Sequence, residues 1–243
     1  MNVESISRKV LGRPSLGRLK DRVALISGGA NGVGASSARM FVSEGASVTI
    51  LDWDTDAGQA LCDELKKAGA MARFIATDVS APDQVAEAVE RTISSEGKID
   101  ILFNHAGGII VKPFLDYTIE DWDMMMDQNA KSAFLVTRAI LPNMLERGHG
   151  SIINTSSTAV SVCSKMESAY IASKAAMHQL ARAIAVEYRD SGVRCNTSCP
   201  NFIRTKHGED EIEQLRTYGV LASDDASFVN GAEIYVDNTF TAV

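Results

Sequence analysis

The chain has 243 residues, 45% of them hydrophobic and 23% charged, enough to bury a full core and too varied for a disordered or fibrous protein. Lys and Arg total 24 against 31 Asp and Glu, a net charge of −7, so no broad cationic surface exists to release counterions from a nucleic acid. No uncharged apolar run reaches the length of a membrane span and residues 1–18 lack the apolar centre of a secretory signal, so a cytoplasmic location is expected.

In chain order, MNVESISRKVLGRPSLGR (1–18) reads as a flexible N-terminal arm before a single domain over 19–243. RVALIS (22–27) has strand length and runs straight into SGGANGVG (27–34), followed by helical spacing over 33–45. Gly28, Gly32 and Gly34 let that turn tighten and let backbone N–H groups and a helix N-terminus approach an anionic pyrophosphate. The next strand, SVTILD (47–52), ends on Asp52, where a carboxylate can accept both hydroxyls of an adenosine ribose; a solvated loop acid is the plainer reading. A 2′-phosphate would be repelled there, and no Arg or Lys in 28–34 or 53–56 compensates, so NAD is favoured over NADP.

Helical spacing over 55–68, strand MARFIA (71–76), a helix over 81–96, strand IDILFN (99–104) and a long helix over 118–147 follow. Strand GSIINTSS (150–157), helix 168–191, strand VRCNTSC (193–199), helix 209–222 and strand AEIYVD (232–237) complete the alternation. Strands apolar along their length and separated by helices describe an α/β fold, a doubly wound parallel sheet of about seven strands with helices on both faces. In SAYIASKAAMHQL (168–180), Tyr170 and Lys174 stand four apart and share a helix face. An ammonium roughly 4 Å from a phenol would favour the phenolate by about 4 kcal/mol at an effective dielectric near 20. Such a pair is common on exposed helices, but this one follows a strand that ends at the same sheet edge as the glycine turn. Cys62, Cys163, Cys195 and Cys199 suggest neither a disulfide framework nor metal-ligand spacing, and Cys195 and Cys199 read as packing residues on one strand face.

With these motifs in order, the chain resembles the short-chain dehydrogenase/reductase family, a Rossmann-type fold, from about Leu19 to Asp237. The family's TGxxxGxG is matched by Ser27, Gly28, Gly32 and Gly34, its NNAG by Asn104, His105, Ala106 and Gly107, and its YxxxK by Tyr170 and Lys174. Its serine falls on Ser157 and its asparagine on Asn129, in DQNAKSAF. The resemblance implies an oxidoreductase transferring hydride between NAD and a secondary alcohol or ketone. Tyr170 would be the general acid/base, Ser157 would hold the substrate oxygen, Lys174 would lower the tyrosine pKa, and Asn129 would hold a relay water. It further implies cofactor contacts from Asn31, Val33, Trp53, Asp78, Val79, Asn104, Ala106, Gly107, Pro200, Ile203 and Thr205, and a homodimer or homotetramer built through the 118–147 and 168–191 helices. Asp78 as a cap of the following helix and Asn129 as a helix-interior hydrogen bonder are the plainer readings of those two residues.

Several positions depart from the family pattern. His105 replaces the second Asn of NNAG and Asn201 the Gly of the PG turn. His105 could titrate near neutral pH, although a packing or hydrogen-bonding histidine is commoner. His149, His178 and His207 have no ligand spacing, so no metal is expected, and Trp122 and Met124, Met125 and Met126 read as core or subunit contacts. Thr205 is followed only by Lys206, His207 and Gly208 before helical spacing resumes, so the segment that closes over substrate in relatives is largely missing. That leaves an open site, a site closed by a neighbouring subunit or by the N-terminal arm, or a weakened catalyst. Two alternatives follow: a nucleotide-sugar epimerase, for which the 38 residues after Thr205 are too few, and a non-catalytic NAD-binding redox sensor, which the missing segment favours and the Ser157, Tyr170, Lys174 and Asn129 set opposes.

Overall fold

Strands buried on both faces form the middle of the molecule in the computed structural model, which describes residue 5 and residues 14–201 and 209–237. They are β1 (Val23–Ser27), β2 (Ser47–Asp52), β3 (Ala72–Ala76), β4 (Ile101–Asn104), β5 (Gly150–Thr155), β6 (Val193–Pro200) and β7 (Glu233–Val236). They form one parallel sheet in the order β3-β2-β1-β4-β5-β6-β7. The doubly wound reading is borne out. Continuous burial holds for the central strands β1, β4 and β5, whereas the edge strands β3 and β7 are partly exposed, because only one neighbour covers each of them. Register sets the site: Ser27 pairs with Leu51 and with Asn104, so the turns after β1, β2 and β4 leave the sheet at one edge. The chain order reverses between β1 and β4, and a crevice opens there in such sheets.

The helices are α1 (Gly32–Ser43), α2 (Thr55–Lys67), α3 (Pro82–Glu96), α4 (Ile119–Met125), α5 (Ser132–Arg147), the single turn α6 (Ala159–Val162), α7 (Ser168–Glu187) and α8 (Glu209–Ala222). One core lies between the sheet and α1 and α8, around Phe41, Phe103 and Tyr218; the other lies against α3, α5 and α7, around Leu102, Ile140 and Ile152. The Phe103 ring stands 4.7 Å from that of Tyr218 and 6.2 Å from that of Phe41, which ties α1, β4 and α8 together. On the outer edge, Glu233 of β7 takes His178 Nε2 at 2.9 Å and Arg182 at 3.1 Å, both from α7.

The helix expected over 118–147 is not continuous. It starts on a capping box between Thr118 and Asp121, widens into a π-turn over Met126–Lys131, and resumes as α5. Cys62, Cys195 and Cys199 are buried and Cys163 is exposed, all four unpaired. Burial pushes the Cys195 and Cys199 thiols up to about 12, so both stay protonated and act as packing residues. No described helix is long and apolar enough to cross a membrane, and no group of His, Cys, Asp and Glu among the described residues is arranged to hold a metal.

The opposite edge of the sheet is closed by buried acids. Glu44, at the end of α1, accepts the Leu16 and Arg18 N–H groups at 3.0 and 3.1 Å, so the chain entering β1 is docked from Leu16 onward. Asp100, 1% exposed, accepts the Val23 N–H at 2.9 Å and binds Arg147 at 2.7 Å and Lys98 at 2.9 Å. Burial pushes its pKa up, but the Lys98 ammonium, the Val23 N–H and the Arg147 guanidinium together outweigh burial and hold it below the ordinary carboxylate value. A carboxyl with a depressed folded pKa contributes stability above its unfolded pKa and loses it as the pH falls through the folded one. Asp100→Ala, which leaves the Val23 N–H and Arg147 without their acceptor, is expected to cost about 2–4 kcal/mol at pH 7 in urea unfolding, the difference from the parent shrinking below about pH 4.

Candidate active site

The three turns at the carboxyl edge enclose a cleft of about 430 Å³, reached by Gly28, Asn31, Asp52, Asp78, Ala106 and Gln128 among others. Glycine is required in its floor. Gly28 has φ +69°, and a Cβ there would lie 2.6 Å from Ala106 Cα; one on Gly34 would lie 2.0 Å from the Gly28 carbonyl oxygen. Gly32 instead has open space where a side chain would be, with φ +51°, so bare backbone faces outward at the start of α1. Asn31 is the N-cap of α1 yet makes no side-chain cap bond, so the first-turn N–H groups of that helix receive no side-chain acceptor from it. A flush glycine floor beside an uncapped helix N-terminus suits a pyrophosphate.

The rim beyond this floor is acidic. Asp52 accepts the Ala30 N–H at 2.9 Å and the Asp54 N–H at 3.0 Å, which fixes its carboxylate at the end of β2 while leaving lone pairs for a ligand. Trp53, 71% exposed, projects beside it. Asp78 is exposed and takes the Ser80 N–H at 2.9 Å and the Ser80 hydroxyl at 2.7 Å. Its expected alternative role as a cap of α3 is not seen: it closes its own turn, and the N-cap of α3 is Ala81. Val79 lines the cleft next to it.

Past Gly107 the cleft meets a polar cluster. A Cβ on Gly107 would stand 2.3 Å from Asn129 Oδ1 and 3.3 Å from Lys174 Nζ, so this glycine marks where cleft and cluster touch. Lys174 is 6% exposed; its Nζ donates to the Thr155 carbonyl at 2.7 Å and lies 6.0 Å from the centre of the Tyr170 ring. Ser157 follows β5; its hydroxyl accepts the Ala159 N–H at 3.1 Å and lies near enough to the Tyr170 phenol to draw its pKa down. Asn129 sits in the π-turn, 1% exposed, accepting the Gly108 N–H at 3.1 Å and donating to the Gly108 carbonyl and the Ser173 hydroxyl at 3.0 Å each. Both of its N–H bonds are therefore taken, and only its oxygen has a lone pair left for a water.

Two sequence expectations need correction, and a third is met. Lys174 does not pull the phenol down in this structure: burial raises the Tyr170 pKa above 10, Ser157 counters in part, and the Glu167 charge adds to the rise. The ammonium points at a carbonyl, and burial lowers its own pKa to about 8. Asn104 does not line the cleft; its amide is buried, donating to Thr137 at 3.0 Å and Asn154 at 2.9 Å, and so joins β4 to β5 and α5. His105 takes the commoner of its two roles, packing and hydrogen bonding, rather than titrating near neutral pH. Its half-buried ring stacks on Phe103 at 5.2 Å and meets the Thr155 hydroxyl at 3.1 Å, and burial followed by the Lys174 charge lowers its pKa to about 4.

Pro200 lies at the end of β6, where its carbonyl accepts the Thr158 N–H at 3.0 Å. Ile203, Thr205, Lys206, His207 and Gly208 lie outside the described residues. Thr77, Ser80 and Gln128 reach the cleft without having been singled out by any motif, and the Ser27 hydroxyl, accepting from His105 and Ala106 N–H at 3.2 and 3.4 Å, ties the first turn to the third.

The sequence matches the family model described as short chain dehydrogenase over residues 22–216. The chain belongs to the short-chain dehydrogenase/reductase family. Its relatives are oxidoreductases, and the family works with a nicotinamide cofactor. Oxidoreductase UcpA of Escherichia coli K12 is 34% identical over 255 residues, covering 93% of this chain and 97% of the relative. A 3-alpha-(or 20-beta)-hydroxysteroid dehydrogenase of Mycobacterium tuberculosis is 35% identical over 91% of this chain and 90% of its own length, and a cyclopentanol dehydrogenase of Comamonas testosteroni 31% identical over 93% and 100%. The crystal structure of a short-chain type dehydrogenase/reductase from Mycobacterium marinum superposes with a TM-score of 0.88 at 31% identity, over 96% of this chain and 99% of that one. The 255-residue match to UcpA is longer than this 243-residue chain, so that relative carries positions with no counterpart here.

A lysine whose folded pKa lies below its unfolded one sheds its proton first in the folded state, so stability rises as the pH climbs between the two values. For Lys174 the window runs from about 8 to the ordinary 10.5. The parent is expected to gain about 1–2 kcal/mol on Lys174→Met between pH 7.5 and 9.5, measured as the difference of their urea unfolding free energies.

Proposed function

We propose that this short-chain oxidoreductase interconverts a secondary alcohol and its ketone with NAD, and that Tyr170 moves the proton on the substrate oxygen. The observation that carries the reading is Tyr170 and Ser157 standing with Lys174 and Asn129 at the Gly107 end of a cleft floored by glycines. When bound, the nicotinamide supplies the hydride acceptor or donor. Gly28, Asn31, Gly32, Val33, Asp52, Trp53, Asp78, Val79, Ala106 and Gly107 would hold the dinucleotide; Gly34 would support the turn, Lys174 and Tyr170 would meet its nicotinamide ribose, and Pro200, Ile203 and Thr205 would stand on the far side.

The chain's own groups divide the work of proton transfer. A protonated Tyr170 donates to a ketone oxygen as it becomes an alkoxide, while the Ser157 hydroxyl holds that oxygen in line. In the oxidative direction the same phenol must first lose its proton. With its pKa above 10, alcohol oxidation would rise and ketone reduction fall as the medium turns alkaline. The names of the cyclopentanol and hydroxysteroid relatives support a cyclic secondary alcohol as substrate. Only residues 201–208 join β6 to α8, which supports a site that its own chain covers little and that admits a bulky substrate or awaits closure by a second subunit. Ile119, Trp122, Met124 and Phe134, exposed on α4 and α5 while Met125 is buried, fit a contact between copies in a homodimer or homotetramer.

Two measurements test this. Purified protein should change A340 with NAD and a panel of cyclic secondary alcohols, Tyr170→Phe lowering kcat by about 100-fold or more; NAD binding without turnover of any alcohol would favour a sensor instead. Calorimetric titration should give tighter binding of NAD than of NADP, and Asp52→Ser should narrow that gap; an unchanged gap would sink the assignment through Asp52.

A further inference from the structure

Asp54 has no part in the cofactor contacts set out above, yet its bonds tie it to two residues that have one. Its backbone N–H donates to Asp52 Oδ1 at 3.0 Å. One of its carboxylate oxygens caps α2 by accepting the Ala57 N–H at 3.0 Å, and the other accepts the Asn31 side-chain N–H at 2.9 Å. Asn31 is thereby turned away from capping its own helix and across to the loop after β2. Because Asn31, Asp52 and Trp53 all line the cleft, this bond spans its ribose end. The Ala57 N–H and then the Asn31 amide hold the Asp54 carboxyl below its ordinary pKa, so it is anionic throughout the neutral range.

Among the described residues no cation pairs with this carboxylate. Residues 28–34 and 53–65 contain no Lys or Arg, and Arg39 of α1 is held by both oxygens of Glu64 at 2.9 and 2.6 Å. Asp52, Asp54 and Asp56 thus form an acidic rim, of which only Asp52 is positioned by two backbone bonds to meet ribose hydroxyls. The repulsion a nucleotide feels there depends on all fixed charges within about 10 Å, not on the contacting group alone.

We propose that Asp54 is a second determinant of dinucleotide choice: it repels a 2′-phosphate and holds Asn31, whose amide would otherwise be free to donate to that phosphate. This rests on the proposed reading of the cleft as an NAD site. The neutral variant Asp54→Asn keeps an N-cap of equal quality, so α2 and the turn survive while the charge is lost.

The test is calorimetric binding of NAD and NADP to the parent, Asp52→Ser, Asp54→Asn and the double variant, in low salt and in about 0.5 M NaCl. Asp54→Asn should lower the ratio of the NADP to the NAD dissociation constant by roughly 3- to 10-fold in low salt, in either Asp52 background, and by less in high salt. If Asp52→Ser shifts the ratio and Asp54→Asn leaves it within about twofold in both backgrounds, or shifts it independently of salt, the role of Asp54 is overturned. Folded parent that binds neither dinucleotide overturns the NAD reading itself and this inference with it.

Discussion

Two turns at the carboxyl edge of the sheet touch backbone to backbone, and the rest of the site depends on that contact. The chain leaving β1 and the chain leaving β4 come so close that one methyl group on Gly28 would drive into Ala106. The parallel pairing of Ser27 with Asn104 delivers both turns to the same height, and the Ser27 hydroxyl then accepts the N–H groups of His105 and Ala106. With that floor closed, α1 starts with its first-turn N–H groups facing the cleft and Gly107 is pressed against Asn129 and Lys174. The glycine-floored cleft and the polar cluster around Tyr170 and Lys174 are therefore two sides of one turn, and a change that loosens it would disturb both.

Lys174 shows what holding such a cluster costs. A buried ammonium is unfavourable unless its donors are satisfied, and here the partner is the Thr155 carbonyl rather than a carboxylate. Among the described residues no carboxylate pairs with the lysine, so its charge is felt by His105, which stays neutral, and is available to a phenolate if one forms on Tyr170. Tyr170 itself sits high because burial disfavours its anion. The resting arrangement is thus a protonated phenol beside an ammonium of reduced pKa, poised to give up a proton rather than to take one.

The alternation of strands and helices was legible because β1, β4 and β5 are covered on both faces, so their sequences are apolar throughout. The cleft was legible because glycines and a strand-ending carboxylate do chemistry that few other residues can do. What escaped was set by backbone and by burial. A π-turn at Met126–Lys131 carries no residue signature that separates it from ordinary helix, yet it places Asn129. The partner of Lys174 is a main-chain oxygen, which sequence does not mark, so the reading aimed the ammonium at the phenol. Asn104 looked like a cofactor residue from its motif, but the register of β4 on β5 sets it opposite Asn154, where the two side chains bond each other. His105 was legible as a packing or hydrogen-bonding residue, but its partners were not, since neither its stacking on Phe103 nor the charge of Lys174 is written in the letters around it.

The four cysteines are not equivalent to a reagent. Cys62, Cys195 and Cys199 are buried, whereas Cys163 lies on the surface, on the segment that leads from Ser157 through α6 toward Tyr170. An untouched chain therefore presents one accessible thiol among its described residues, on the segment between Ser157 and Tyr170. A maleimide fluorophore attached there would report on the segment that joins those two residues, with no engineered cysteine and no label on the sheet that holds the site together.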